Sequence, residues 1–132
     1  MLWECYLYFM PNRIFICDDT KDIVDLLASI FRFEFKEVLV FTETDSRNAL
    51  SRMLVERPDI LIVDIAMPWL SGDQLIRAIR KDPVLSQIFI ICMSANLNGE
   101  ELALEAGADV FLAKPFDLDP LFTIIHKVLS NL

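Results

Sequence analysis

Five times along this chain a short run of branched or aromatic residues ends in polar side chains and gives way to apolar positions spaced three and four apart. Such runs read as strands buried on both faces, and the spacing after each reads as the inner stripe of a helix. The strands are expected at Arg13–Cys17, Glu37–Phe41, Ile60–Asp64, Gln87–Met93 and Asp109–Ala113. Ile23, Val24, Leu26, Leu27 and Ile30 mark the first helix. Ala49, Leu50, Met53 and Leu54 mark the second, which Thr44 or Asp45 can cap and which ends before Pro58. Ser71 or Asp73 opens a third through Leu75, Ile76 and Ile79, stopped at Asp82-Pro83. A fourth runs from about Gly99 to Ala106 with Gly107 as a left-handed cap, and Leu118, Leu121, Phe122, Ile125, Val128 and Leu129 form the stripe of the last. Strict strand–helix alternation with right-handed crossovers leaves few topologies. The expected fold is α/β: a doubly wound, five-stranded parallel sheet in the order 2-1-3-4-5, of the flavodoxin-like (βα)5 kind.

The 132 residues suffice for one domain with one core, and no apolar run reaches the roughly 20 residues that span a bilayer. A soluble protein with no membrane partner is expected. Twenty acidic against twelve basic residues give a net charge of −8, which repels a phosphate backbone and speaks against direct nucleic-acid binding. Of Cys5, Cys17 and Cys92, two fall inside apolar strands and none has metal-type spacing, so buried thiols in a reducing, cytoplasmic compartment are expected. Residues 1–10 are apolar apart from Glu4 and lack the basic start and cleavage site of a signal peptide. They stand as an extension of unknown role, a packed extra element, an oligomer contact or a leader, before a domain of residues 11–132.

Topology makes the lone polar residues informative. Asp18 and Asp19 end the first strand, Asp64 the third, Ser94 the fourth, and Lys114 follows the fifth. In open parallel sheets these carboxyl ends share one edge, where ligands bind. Each residue alone could be loop filler or a cap, but together they bring three carboxylates, a hydroxyl and an amine to one crevice. Clustered carboxylates repel unless a cation or proton intervenes. Hard oxygen donors with positions left for water suit Mg²⁺, and Lys114 would balance part of the remaining charge. A carboxylate beside Mg²⁺, a hydroxyl and an ammonium is arranged for nucleophilic attack on phosphorus.

The pieces Asp18-Asp19, Pro58 to Asp64 through Met67-Pro68 to Gly72, Ser94-Ala95, Gly107-Ala108-Asp109 and Lys114-Pro115-Phe116 occur in an order and spacing that resembles the receiver domains of two-component response regulators. The resemblance covers Arg13 to Leu129. It implies that Asp64 is the phosphoacceptor, supplied by a phosphohistidine on a sensor histidine kinase or a histidine phosphotransfer protein. It implies Mg²⁺ bound by Asp19, Asp64 and the backbone carbonyl of Ala66, with Asp18 acting through metal-bound water. Ser94 and Lys114 would contact the phosphoryl oxygens, and Ser94 would move together with Phe111, which matches the family's switching aromatic but lacks its hydroxyl. The Lys114–Pro115 bond is expected to be cis. Ala66 offers no polar side chain to orient an attacking water, so slow self-dephosphorylation is expected of a self-phosphorylating acceptor rather than a conventional turnover enzyme.

The resemblance implies a signalling switch in a two-component system or phosphorelay, its output an altered protein–protein contact or homodimer formed on the fourth helix, fifth strand and fifth helix. No further element comes after Leu132, so the chain is expected to be either a stand-alone receiver or a domain from a longer protein. The rival reading is an interaction module that keeps the fold without phosphorylation, against which the intact Asp19, Asp64, Ser94 and Lys114 set argues. A flavin-binding or hydrolytic domain on the same architecture is disfavoured by the presence of only three glycines and of Asp18-Asp19-Thr20 in place of an Asp-x-Asp pair. His126 falls on the polar side of the last helix and is expected to be solvated. Trp69, in the loop after Asp64, could shield the site, meet a partner or cover the third helix.

Overall fold

Ile60, Leu61, Ile62 and Val63 have no solvent exposure, as a strand attains only when both of its faces are covered. The computed structural model, which describes residues 10–132, places them in β3 (Ile60–Asp64) at the centre of one sheet. β1 (Arg13–Cys17), β2 (Leu39–Glu43), β4 (Phe89–Ser94) and β5 (Val110–Ala113) complete it in the order β2-β1-β3-β4-β5, every neighbouring pair parallel. The expected strand order is therefore observed. Of the apolar extension at residues 1–10, all but Met10 lies outside the described residues.

The two-residue alternation of each strand divides the core. Ile14, Ile16, Ile60, Ile62, Ile91 and Met93 face α1 (Lys21–Glu34) and α5 (Leu118–Ser130), which bury Val24, Leu27, Phe31, Leu121 and Ile125 against them. Phe15, Cys17, Leu61, Val63, Ile90 and Cys92 face the opposite way, toward α2 (Ala49–Glu56), α3 (Gly72–Lys81) and α4 (Gly99–Ala106). Each fully buried aliphatic side chain contributes roughly 1.5–3 kcal/mol.

Three strands depart from the sequence reading at their boundaries. β2 begins two residues later than expected, because Val38 N–H donates to the Phe35 carbonyl (3.0 Å) and turns the chain before Leu39 pairs with Arg13. It then runs through Thr42 and Glu43, polar residues that an edge strand tolerates because one side is unpaired. β4 likewise starts at Phe89, since Ile88 N–H closes a turn on the Leu85 carbonyl (3.2 Å), and it extends to Ser94, the register partner of Ala113. Asp109 stands just outside β5, its side chain accepting from Ile90 N–H at 2.8 Å and Arg80 Nη2 at 2.9 Å. Ile23 and Leu26 also do not join the core; they are 39% and 61% exposed, and Phe31, one turn on from Leu27, is buried instead.

Helix ends follow their local chemistry. Gly107 closes α4 at φ +117°, a conformation that glycine adopts freely. Ser71 N–H donates to Gln74 Oε1 (3.0 Å) at the start of α3. Asp45 accepts from Arg47 N–H (3.0 Å) and caps a 3₁₀ turn, Ser46–Asn48, that precedes α2. Arg80 ties α3 to the far end of the sheet by donating to the carbonyls of Ser86, Ile88 and Gly107 at 2.7–2.8 Å. No helix among the described residues is long and apolar enough to cross a membrane.

Candidate functional site

Register brings the polar strand ends together. Cys17 pairs with Val63, so Asp18 and Asp64 leave adjacent strands side by side, and Asp64 itself pairs with Met93, one residue before Ser94. Asp18, Asp19 and Asp64 each present a carboxylate oxygen within 4.8 Å of the others. Asp18 is fully buried and Asp64 is 7% exposed, whereas Asp19 is open to solvent. The cis Lys114–Pro115 peptide comes directly after β5, and Lys114 Nζ reaches back to donate to Asp64 Oδ2 at 2.8 Å and Asp18 Oδ2 at 3.3 Å.

The second oxygens of Asp18 and Asp64 are also engaged. Asp18 Oδ1 accepts from Thr20 N–H (3.0 Å), and Asp64 Oδ1 accepts from Ala66 N–H (3.2 Å). Burial disfavours the charge on Lys114, but the hydrogen bond to Asp64 and the fields of Asp18 and Asp64 outweigh it and hold its pKa above the ordinary lysine value. Three carboxylates around one ammonium still leave two negative charges uncompensated. The donor set is oxygen only, from hard carboxylates, which suits Mg²⁺ and would disfavour a softer transition metal.

Ser94 is buried at the end of β4, where its Oγ accepts from Asn96 N–H (3.0 Å). Phe111, half-buried on β5, is brought close to it by Gly99: a Cβ on that glycine would lie 2.9 Å from Ser94 Cβ and 3.1 Å from the Phe111 ring. Asp18, Asp19, Asp64 and Lys114 thus form one cluster, with Ala66 and Ser94 at its border and Phe111 one layer behind.

The loop between Asp64 and α3 contains features that the sequence did not disclose. A Cβ on Gly72 would sit 2.1 Å from the Asp64 carbonyl oxygen, so only glycine lets α3 start this close to the strand. Its place after Met67-Pro68 was the one available hint. Trp69 does not cover the third helix: it is 72% exposed, has φ +65°, and stacks on Arg47, whose Cζ lies 3.9 Å from the ring centroid. No spacing rule links positions 47 and 69.

Cys17 and Cys92 are buried beneath the site, and burial, aided by Glu43 and Asp64 respectively, pushes each thiol up to about 12. His126 is exposed and within 3.3 Å of Glu34. Between α1 and residues 114–118 runs an apolar groove of about 500 Å³, lined by Ile23, Leu26, Ile30, Pro115 and Phe116, with Lys114 at its rim.

Residues 14–126 match the family model of the response regulator receiver domain. The alkaline phosphatase synthesis transcriptional regulatory protein PhoP of Bacillus subtilis is 30% identical over 107 residues, 81% of this chain and 44% of its own length. The response regulator PleD of Caulobacter vibrioides is 32% identical over 121 residues, 90% of this chain and 26% of its own length. The chain therefore spans from a quarter to about half of these relatives. A CheY-like response regulator receiver domain protein from Methanospirillum hungatei, of known structure, superimposes with a TM-score of 0.79 at 27% identity, covering 92% of this chain and 96% of that one. With the family model matched from the first strand into the last helix and the strand order as observed, the chain belongs to the response regulator receiver domains.

Proposed function

We propose that this domain is a phosphorylation-operated switch in which Asp64 accepts a phosphoryl group from a phosphohistidine on a sensor kinase or phosphotransfer protein. The observation that carries the proposal is Lys114 Nζ, 2.8 Å from Asp64 Oδ2 at the mouth of a three-carboxylate cluster. In the proposed step an Asp64 carboxylate oxygen forms a bond to phosphorus as the P–N bond breaks, and the imidazole keeps the electron pair. Mg²⁺, when bound, would neutralise equatorial phosphoryl oxygens. Asp19 and Asp64, with the Ala66 carbonyl, would hold it directly. Asp18, fully buried with both oxygens already bonded, would act through water. Lys114 would exchange its contact with Asp64 for one with a phosphoryl oxygen, and the Ser94 hydroxyl would supply another as Asn96 N–H releases it.

Output would result from that exchange. Ser94 and Phe111 meet at Gly99, the first residue of α4, so a shift of either is felt at the α4–β5–α5 face, where a downstream protein or a second copy would bind. The apolar groove beside Lys114 supports a helical donor protein seated next to the acceptor. Incubation with acetyl phosphate and Mg²⁺, followed by intact-mass measurement, tests the reading. A gain of one phosphoryl group, lost in Asp64→Asn, is expected. No gain, together with no beryllofluoride binding, would instead make the domain an unphosphorylated interaction module.

A further inference from the structure

The segment from Ile65 to Ser71 connects the acceptor strand to α3, and under the function proposed above it supplies the Ala66 carbonyl to Mg²⁺. Its start is anchored, Ile65 N–H donating to the Met93 carbonyl at 3.2 Å and the buried Met67 resting against Cys17. From Met67 onward its backbone bonds are local: Met67 and Gly72 N–H both donate to the Ile65 carbonyl, at 3.0 and 2.9 Å, Leu70 N–H to the Pro68 carbonyl at 2.8 Å, and Ser71 N–H to Gln74 Oε1 at 3.0 Å. Trp69 opposes this arrangement, because φ +65° is strained for a bulky side chain. Something outside the loop must hold it there.

The 3₁₀ turn before α2 does so at two points. Ser46, only 2% exposed, donates its hydroxyl to the Pro68 carbonyl at 3.2 Å. Arg47 lays its guanidinium over the Trp69 ring at 3.9 Å and is itself fixed by a two-pronged contact with Asp45, Nε to Oδ1 at 3.0 Å and Nη2 to Oδ2 at 2.8 Å. An arginine locked this way loses little further freedom on stacking. We propose that Ser46 and Arg47 clamp Pro68 and Trp69, and that this clamp pre-sets the acceptor loop for the cation; Arg47 and Trp69 are positioning residues, not ligands.

The reading of Asp64 and Ala66 as cation donors underlies this, so the test separates the two. Arg47→Met and Arg47→Lys are compared with the wild type by amide exchange in metal-free protein and by calorimetric titration with Mg²⁺ alone. In Arg47→Met, exchange at Met67, Leu70 and Gly72 should quicken while the unfolding midpoint stays put, and Mg²⁺ should bind several-fold more weakly. That loss is smaller than the roughly 10–100-fold seen when a direct outer-shell partner of a ligand is removed. Arg47→Lys, which retains the cation but not the fork, should recover part of both. Exchange and affinity unchanged in Arg47→Met would overturn the clamp and leave the metal reading standing. Quickened exchange in a protein whose wild type takes up no Mg²⁺ would overturn the metal reading, and with it the pre-setting role. Quickened exchange throughout the sheet would show a general structural role and refute the local one.

Discussion

Gly72→Ala sets two effects of opposite sign against each other. Alanine in place of glycine within a helix is worth about 1 kcal/mol in the interior and less at the first residue, so propensity alone would make the variant more stable. Against it stands the Asp64 main chain: the new Cβ would lie 2.1 Å from the carbonyl oxygen and 2.8 Å from both the carbonyl carbon and Ile65 Cα. Ordinary van der Waals contact begins near 3.4 Å, so either α3 or the end of β3 must move by roughly 1 Å. No rotamer relieves a clash with backbone, and the helix is held by the buried Leu75, Ile76 and Ile79. Overpacking of this sort costs about 1–3 kcal/mol or more. The net loss should be about 2 kcal/mol, a fall in Tm of roughly 6–12 °C for a domain between the reference sizes. Urea and thermal unfolding read the stability, and calorimetric Mg²⁺ titration reads the accompanying displacement of Asp64. A variant as stable as the wild type, or more so, with unchanged Mg²⁺ affinity would refute the claim that α3 begins in contact with Asp64.

Lys114→Met leaves two buried carboxylates without their cation and should cost about 1–3 kcal/mol at neutral pH, less than for a wholly buried pair because the ammonium is partly solvated; urea unfolding measures it. Because folding raises the Lys114 pKa, its contribution is fully present below the unfolded value near 10.4 and fades as pH rises through the folded one, a decline that Lys114→Met should lack. Cys17 and Cys92 add an earlier alkaline decline, since the unfolded thiols ionise near 9.0 while the folded ones resist up to about 12. At pH 8 iodoacetamide should therefore leave both unmodified in the native protein and alkylate both in urea, as peptide mass mapping would report.

The parts of the fold that were legible in sequence are those governed by short-range rules. β1 and the span of α4 were readable because Arg13–Cys17 is bounded by polar residues and Gly107 is a left-handed stop. β2 slipped by two residues because its ends are fixed by a turn at Phe35–Val38 and by pairing with β1, neither of which leaves a trace in local hydrophobicity. The cluster of Asp18, Asp19, Asp64 and Lys114 was legible through topology: once the order of the strands is inferred, their carboxyl ends must converge. Contacts that depend on the path of a loop were not. The stack of Arg47 on Trp69 and the approach of Gly72 to Asp64 arise from tertiary placement of segments with no periodic pattern.

Lys114 and Asp18, which share one hydrogen bond in the site, are 96 positions apart in the chain. Synthesis proceeds from the amino end, so the three aspartates all emerge before the lysine that partly neutralises them. A nascent chain that has β1 and β3 but not yet the segment after β5 carries the repulsion of the acidic cluster without its counter-charge. No fragment ending before position 114 can hold the full set of groups, and the cluster gains its ammonium only when the segment after β5 is in place.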